Sequence, residues 1–288
     1  TTPATAPDSL ATKACIHSLP HLHALAIAGQ DVFCPPCWID SLMFKRIAQT
    51  AGFAGLLAAI VLTLLQSLWV TPLIIQAEGY ETSAPQSEHA HAPLAHEHAA
   101  DSAAHDHAPA AAAEHHHDTQ AWSPEDGWQR SLATGLSNLV VAVGFALMLA
   151  GLFTLRAPQH TWQGLFWGLA GFATFSLAPA AGLPPELPGT AAAELGLRQS
   201  WWIATVSATA VGLSLLAFGK HWSLRIGGVL LLVIPHLFGA PQPEVHASLA
   251  PAAMGEAFIR ASLLTNALFW AALGLAAAWL FRRTAVAV

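Results

Sequence analysis

Histidine is the residue with chemistry to offer here. The stretch EHAHAPLAHEHAADSAAHDHAPAAAAEHHHD, residues 88–118, holds nine of the chain's sixteen histidines and no lysine or arginine. They come in short groups: His89 with His91, His96 with His98, His105 with His107, and the run His115, His116, His117. Acids sit within or beside each group, namely Glu88, Glu97, Asp101, Asp106, Glu114 and Asp118. Neutral imidazole is the commonest side-chain ligand for Zn, Cu, Ni and Co, and neighbouring carboxylates add charge or complete the shell. The segment has no Cys or Met, which disfavours Cu(I). Co(II), Ni(II) and Zn(II) remain, and ligand chemistry does not choose among them. An imidazolium has no free lone pair, so capture is expected to fail as pH falls below about 6.5. The intervening alanines and prolines offer no core. The segment is therefore expected to be disordered without metal and to form several weak, exchangeable sites. The competing reading is a low-complexity loop with no ligand role.

The rest of the chain is of another kind. It has 288 residues, 54% hydrophobic and 10% charged, with a mean hydropathy of +0.48. A soluble domain usually carries about 25% charged residues. The composition predicts an integral membrane protein whose main solvent is lipid. Three cysteines leave one over and build no disulfide framework. The start, TTPATAPDSLATKAC, shows no basic end followed by an apolar core, so no cleavable signal peptide is expected. No GxxxxGK[ST] is present. Neither an enzyme nor a nucleic-acid partner is expected, and no covalent cofactor. A haem enzyme would need two histidines facing each other in the bundle, and only His236 lies inside an apolar segment.

The expected architecture is all-α and polytopic, with about six transmembrane helices near 47–75, 130–155, 162–181, 200–219, 223–240 and 257–281. The fifth is the shortest and carries Arg225 near its start. Charge argues for it, because Lys and Arg accumulate in cytoplasmic loops. With six spans and both ends inside, Lys13, Lys45, Arg46, Arg156, Lys220, Arg225, Arg282 and Arg283 share the inner side. Only Arg130, Arg198 and Arg260 fall outside. The His-rich outer loop, 82–121, then lies on the extracytoplasmic side between the first two helices. Residues 43–288 form the membrane domain, and 1–42 are an N-terminal extension expected to be poorly ordered. The second helix is expected to start at Ser123, with Pro124, Glu125 and Asp126 in its first turn. In GLFWG, Gly164 and Gly168 lie one turn apart and Gly171 follows, a small-residue pattern for close helix packing.

A collecting loop serves transport only if a polar path follows it. The first helix ends outside with Glu78, Gly79, Tyr80 and Glu81. GLPPELPG places Glu186 on a proline-stiffened turn, followed by Glu194, Arg198 and Gln199. PHLFGAPQPEVH puts His236 just inside the outer boundary, after Pro235, with Glu244 and His246 beyond. An ionisable group within a span is a functional candidate. Glu78, Glu81, Glu186 and His236 therefore join the loop histidines as candidate metal ligands. Gln66, Asn138 and Asn266 are expected to hydrogen-bond between helices.

The segments MFKRIAQTAGFAGLLAAIVLTLLQSLWVTPLIIQAEGYE, AWSPEDGWQR, FSLAPAAGLPPELPG, LGLRQSWW and IPHLFGAPQP carry a resemblance from about Met43 to about Arg283. In that order they resemble the CbtA family of cobalt transporter subunits. The resemblance implies a bacterial inner-membrane component of cobalt uptake linked to cobalamin synthesis. It also implies a small single-span CbtB-type partner with its own histidines. It directs attention to Glu78, Glu81, Glu125, Asp126, Glu186, Arg198 and His236. One departure is the 42 residues before Met43, which contain Cys15, His17, His21, His23 and the CPPC of Cys34 and Cys37. They read as an unfolded or misassigned upstream piece, a metal-binding tail, or a redox element. The leading expectation is a Co2+ uptake subunit whose outer loop collects metal and whose bundle passes it inward. The alternative is a membrane-anchored Ni/Zn/Co buffer or sensor without transport.

Overall fold

The computed structural model describes residues 35–83 and 127–286. The His-rich segment, with all nine of its histidines, and the cysteines Cys15 and Cys34 lie outside the described residues. Among the described residues the chain is all-helical, apart from one isolated bridge between Thr190 and Ser248. The elements are α1 (Pro35–Leu65), α2 (Thr71–Ser83), α3 (Trp128–Leu155), α4 (Gln163–Phe172), α5 (Ala178–Ala180), α6 (Leu195–Phe218), α7 (Trp222–Phe238) and α8 (Ala252–Val286). Apolar sequence in lipid leaves the backbone no partner but itself, and a helix satisfies every peptide group within one segment.

Four stretches are long and apolar enough to cross a membrane: Leu42–Ser83, Trp128–Leu155, Leu195–Phe218 and Ala252–Thr284. Trp222–Phe238 is a shorter apolar helix. Its 17 residues sit at the lower end of spanning length. The expected third span is also helical, but it is broken into α4, a π-helical turn over Ala173–Leu177, and α5. The first helix exceeds its expected bounds at both ends. Leu42–Ser83 alone covers 42 residues, a rise of about 60 Å against a hydrocarbon core of about 30 Å. Helix also begins at Pro35, inside the N-terminal extension. α3 starts at Trp128 and not at Ser123, because Gly127 takes φ +98°, which is outside helical geometry.

α1 passes into α2 through a π-helical turn at Gln66–Val70. Both π turns precede a proline, Pro72 and Pro179. A helical proline has no N–H and collides with the carbonyl four residues back. Those carbonyls belong to Leu68 and Phe175, the middle residues of the two turns. Widening the backbone there relieves the clash.

The core lies between α1, α3 and α8, around Trp270, Phe153, Phe269, Phe281, Leu149 and Leu273. α4 packs on α8 through the predicted glycines. A Cβ at Gly164 would run into the Gly274 carbonyl, at Gly168 into the Trp270 carbonyl, and at Gly171 into the Trp270 ring. α6 and α7 form a hairpin in which Gly212 meets the Gly228 carbonyl, and Gly228 the Gly212 carbonyl. A second, smaller core joins α2, the turn at Leu187 and the start of α8, through Val70, Ala77, Leu187, Ala250 and Phe258.

Candidate functional site

The GLPPELPG turn follows α5 and is pinned from several directions. Ala191 N–H donates to Ala247 O at 2.9 Å and Leu249 N–H to Gly189 O at 3.2 Å, tying it to the loop between α7 and α8. Gly189 lies against the Glu81 side chain at the end of α2. Prolines limit the turn's own conformations, and Leu187 anchors it in the smaller core. Glu186 is thereby held over a cavity of about 760 Å³. Arg198, Gln199 and Trp202 of α6 line one wall, Phe175 and Ser176 of the second π turn another, and Asn266 of α8 contributes from within the bundle.

Arg198 Nη2 donates to Glu186 Oε2 at 2.9 Å, and both side chains are partly buried. Asn266 Nδ2 donates to Ser262 O of its own helix at 2.9 Å, which leaves its carbonyl oxygen for the cavity. The expected link between helices is therefore not made by Asn266. It is made by Asn138, whose Nδ2 donates to Gln66 Oε1 at 2.7 Å and to Thr63 Oγ1 at 3.0 Å. Oxygen donors from Glu186, Asn266, Gln199 and Ser176 suit a hard or borderline divalent cation. Arg198 neutralises the one carboxylate among them.

The other expected ligands lie elsewhere. Glu78 accepts a bidentate pair from Arg130, Nη1 to Oε2 at 2.9 Å and Nη2 to Oε1 at 2.5 Å. That clamp joins α2 to α3 at the same end of the bundle as Glu186. His236 occupies an exposed position on α7, its ring edge-on to Trp201 at 6.0 Å between centroids. Trp201 Nε1 donates to Pro235 O at 3.3 Å. Neither Glu78 nor His236 lines the Glu186 cavity. Among the described residues no three His, Cys, Asp or Glu side chains converge. Glu125 and Asp126 lie outside the described residues. The sequence carried a signal for Asn266, a polar side chain in an apolar helix. Ser176 and Trp202 fall within the motifs FSLAPAAGLPPELPG and LGLRQSWW, but neither residue is singled out there as a site candidate.

A groove of about 740 Å³ lies toward the opposite end, between α3 and α6 and floored by α4. Phe175 lines both spaces. Its ring stacks on Trp270 at 5.7 Å and 10°, and lies 4.9 Å from Phe145. The aromatic cluster therefore backs Phe175 where it lines the Glu186 cavity.

The arginines divide by end. Arg130, Arg198 and Arg260 each pair with a glutamate, the last with Glu256 at 3.3 Å. At the other end, arginines use carbonyls, a hydroxyl and rings. Arg46 donates to Phe281 O at 3.0 and 2.6 Å, and Arg225 to Gly219 O at 3.2 Å. Arg282 donates to Thr161 Oγ1 at 3.1 Å, while Arg156 lies over Phe218 and Arg283 over Trp279.

The family model for the probable cobalt transporter subunit CbtA matches residues 44–282. No curated protein and no solved structure matches the chain. A match over that share of the sequence places the chain in the CbtA family.

Proposed function

We propose that this CbtA-family chain is the membrane subunit that carries Co2+ inward from the extracytoplasmic side. Histidines 89 to 117 gather the ion, and the cavity beneath Glu186 receives it. The observation that carries this reading is the cavity itself. It is a mainly apolar space into which Glu186, Arg198, Gln199 and Ser176 bring polar groups at the acidic end of the bundle, reaching Asn266 inside a spanning helix. Charge supports the orientation, since among the described residues the arginines paired with glutamates lie at one end and those without an acid partner at the other. Arg46 of α1 meets the end of α8, which fits an even number of passes and both termini inside. The broken segment from α4 to α5 and the short α7 then complete six spans. The chain lies in a bacterial inner membrane with the His-rich segment outside, and a single-span CbtB-type subunit completes the transporter. Energy comes from a gradient, the membrane potential or a partner.

Metal uptake into cells, with Co, Ni and Zn in competition and with or without the partner, tests this reading. Co2+ uptake that Ni and Zn do not abolish is the expected result. Deleting residues 88–118 should reduce uptake at scarce cobalt, spare it at high cobalt, and remove any loss of capture below about pH 6.5. A protein that binds cobalt but moves none at any concentration is a buffer, and the proposal fails. Carriage of Zn or Ni without Co would end the cobalt assignment.

A further inference from the structure

The groove at the basic end has no part in that reading. α3 and α6 face each other across α4, and small residues on α6, Ala210, Ser214 and Ala217, keep the space between them open. Met148, Leu152, Phe166, Trp167 and Leu213 make its walls apolar. Its mouth at the basic end carries Arg156, Gln159 and Gln163.

Three observations identify an occupant. A groove with these walls offers water few partners, since the hydroxyls of Thr174 and Ser214 already donate to carbonyls of their own helices, so between helices in a bilayer it is filled by hydrocarbon. A spanning helix is too large to be enclosed in it. At about 10 Å across and 30 Å long it would need roughly 2,000 Å³ or more, against a groove of about 740 Å³. The mouth, finally, is built for an anion. Arg156 is exposed, its guanidinium 4.7 Å from the Phe218 centroid, and no acid pairs with it among the described residues. Gln163 Oε1 accepts from the N–H groups of Gln159 at 2.6 Å and His160 at 3.4 Å, leaving its NH2 to donate. Trp162 is exposed beside them, the residue type that marks a headgroup boundary.

We propose that this groove binds an anionic phospholipid, with one acyl chain along α4 between α3 and α6 and the phosphate at Arg156. Basic pockets between membrane helices hold such headgroups through charge-assisted hydrogen bonds from arginine. The site is independent of the transport reading and depends only on the bundle lying in a bilayer.

The test is made on the full chain in bilayer discs of equal phosphatidylglycerol and phosphatidylcholine. Phospholipid retained after mild detergent extraction is then identified by native mass spectrometry. Retained lipid should favour phosphatidylglycerol by roughly fivefold, the scale of one arginine near an anionic headgroup. Arg156→Gln should bring the ratio to near one while lipid is still retained. Ala210→Phe should displace lipid of both kinds, with helix content and thermal unfolding reporting an intact fold. Ser214→Leu supplies the same obstruction if Ala210→Phe does not fold. An unchanged ratio in Arg156→Gln, full retention in a folded groove-filling variant, or a polypeptide cross-linked at position 210 in place of lipid would overturn the proposal.

Discussion

Glu186 was recognisable as a polar group on a stiff turn, but its partner twelve positions away was not. An ion pair between a loop and the next helix has no sequence period. Under the proposed function the carboxylate has two states, held by Arg198 or bound to a dication, and the two compete. Glu186→Gln should raise the cobalt concentration for half-maximal uptake, and Arg198→Gln should lower it, each by roughly tenfold, as one partly screened charge contact allows. Labelled-cobalt uptake over a concentration series measures both, and shifts of equal sign would show that the pair serves only the fold. Glu78 is held differently. Its bidentate clamp to Arg130 links α2 to α3, so its two arginine contacts tie it to packing as well as charge.

At the scale of elements, the glycines of GLFWG predicted close packing, and the face they would meet became visible only with α8 in place. Gly168 lies against a backbone carbonyl of Trp270, which has no freedom to retreat. Gly144, in the middle of α3, has open space where a Cβ would go. Gly168→Ala should therefore destabilise the protein by about 1–3 kcal/mol, while Gly144→Ala should be neutral or slightly stabilising. Thermal unfolding in detergent separates the two, and equal effects would contradict the packing of α4 on α8. The π turns show the complementary case. Pro72 and Pro179 stand plainly in the sequence, yet a proline in an apolar helix can kink, end or widen it. Both turns are widened. One widened turn brings Gln66 to Asn138 and the other places Phe175 against the aromatic cluster that backs it at the cavity.

For the whole molecule, the proposed six passes with both ends inside predict specific sidedness. A phosphatase reporter that works only outside the cytoplasm should be active when inserted near residue 100 and inactive when fused after Val288. The reverse pattern, or activity at both, would refute the orientation. Four of the stretches are long and apolar enough to cross by themselves, while α7 is short and the third expected span is broken. Those two are placed by packing, α7 against α6 and α4 against α8. The sequence by itself determined that the chain is a helical membrane protein, because apolar runs of bilayer length have one way to satisfy their peptide groups. It also carried the metal-binding proposal for the segment 88–118, since clustered imidazoles need no fold to bind metal. The ordered motifs carried the family. Only the tertiary structure decided which glutamate meets which arginine, that Glu186 and not His236 lines the cavity between the GLPPELPG turn and α6, and that α3 and α6 leave a groove between them. Those are relations between residues far apart in the chain, and helix packing alone sets them.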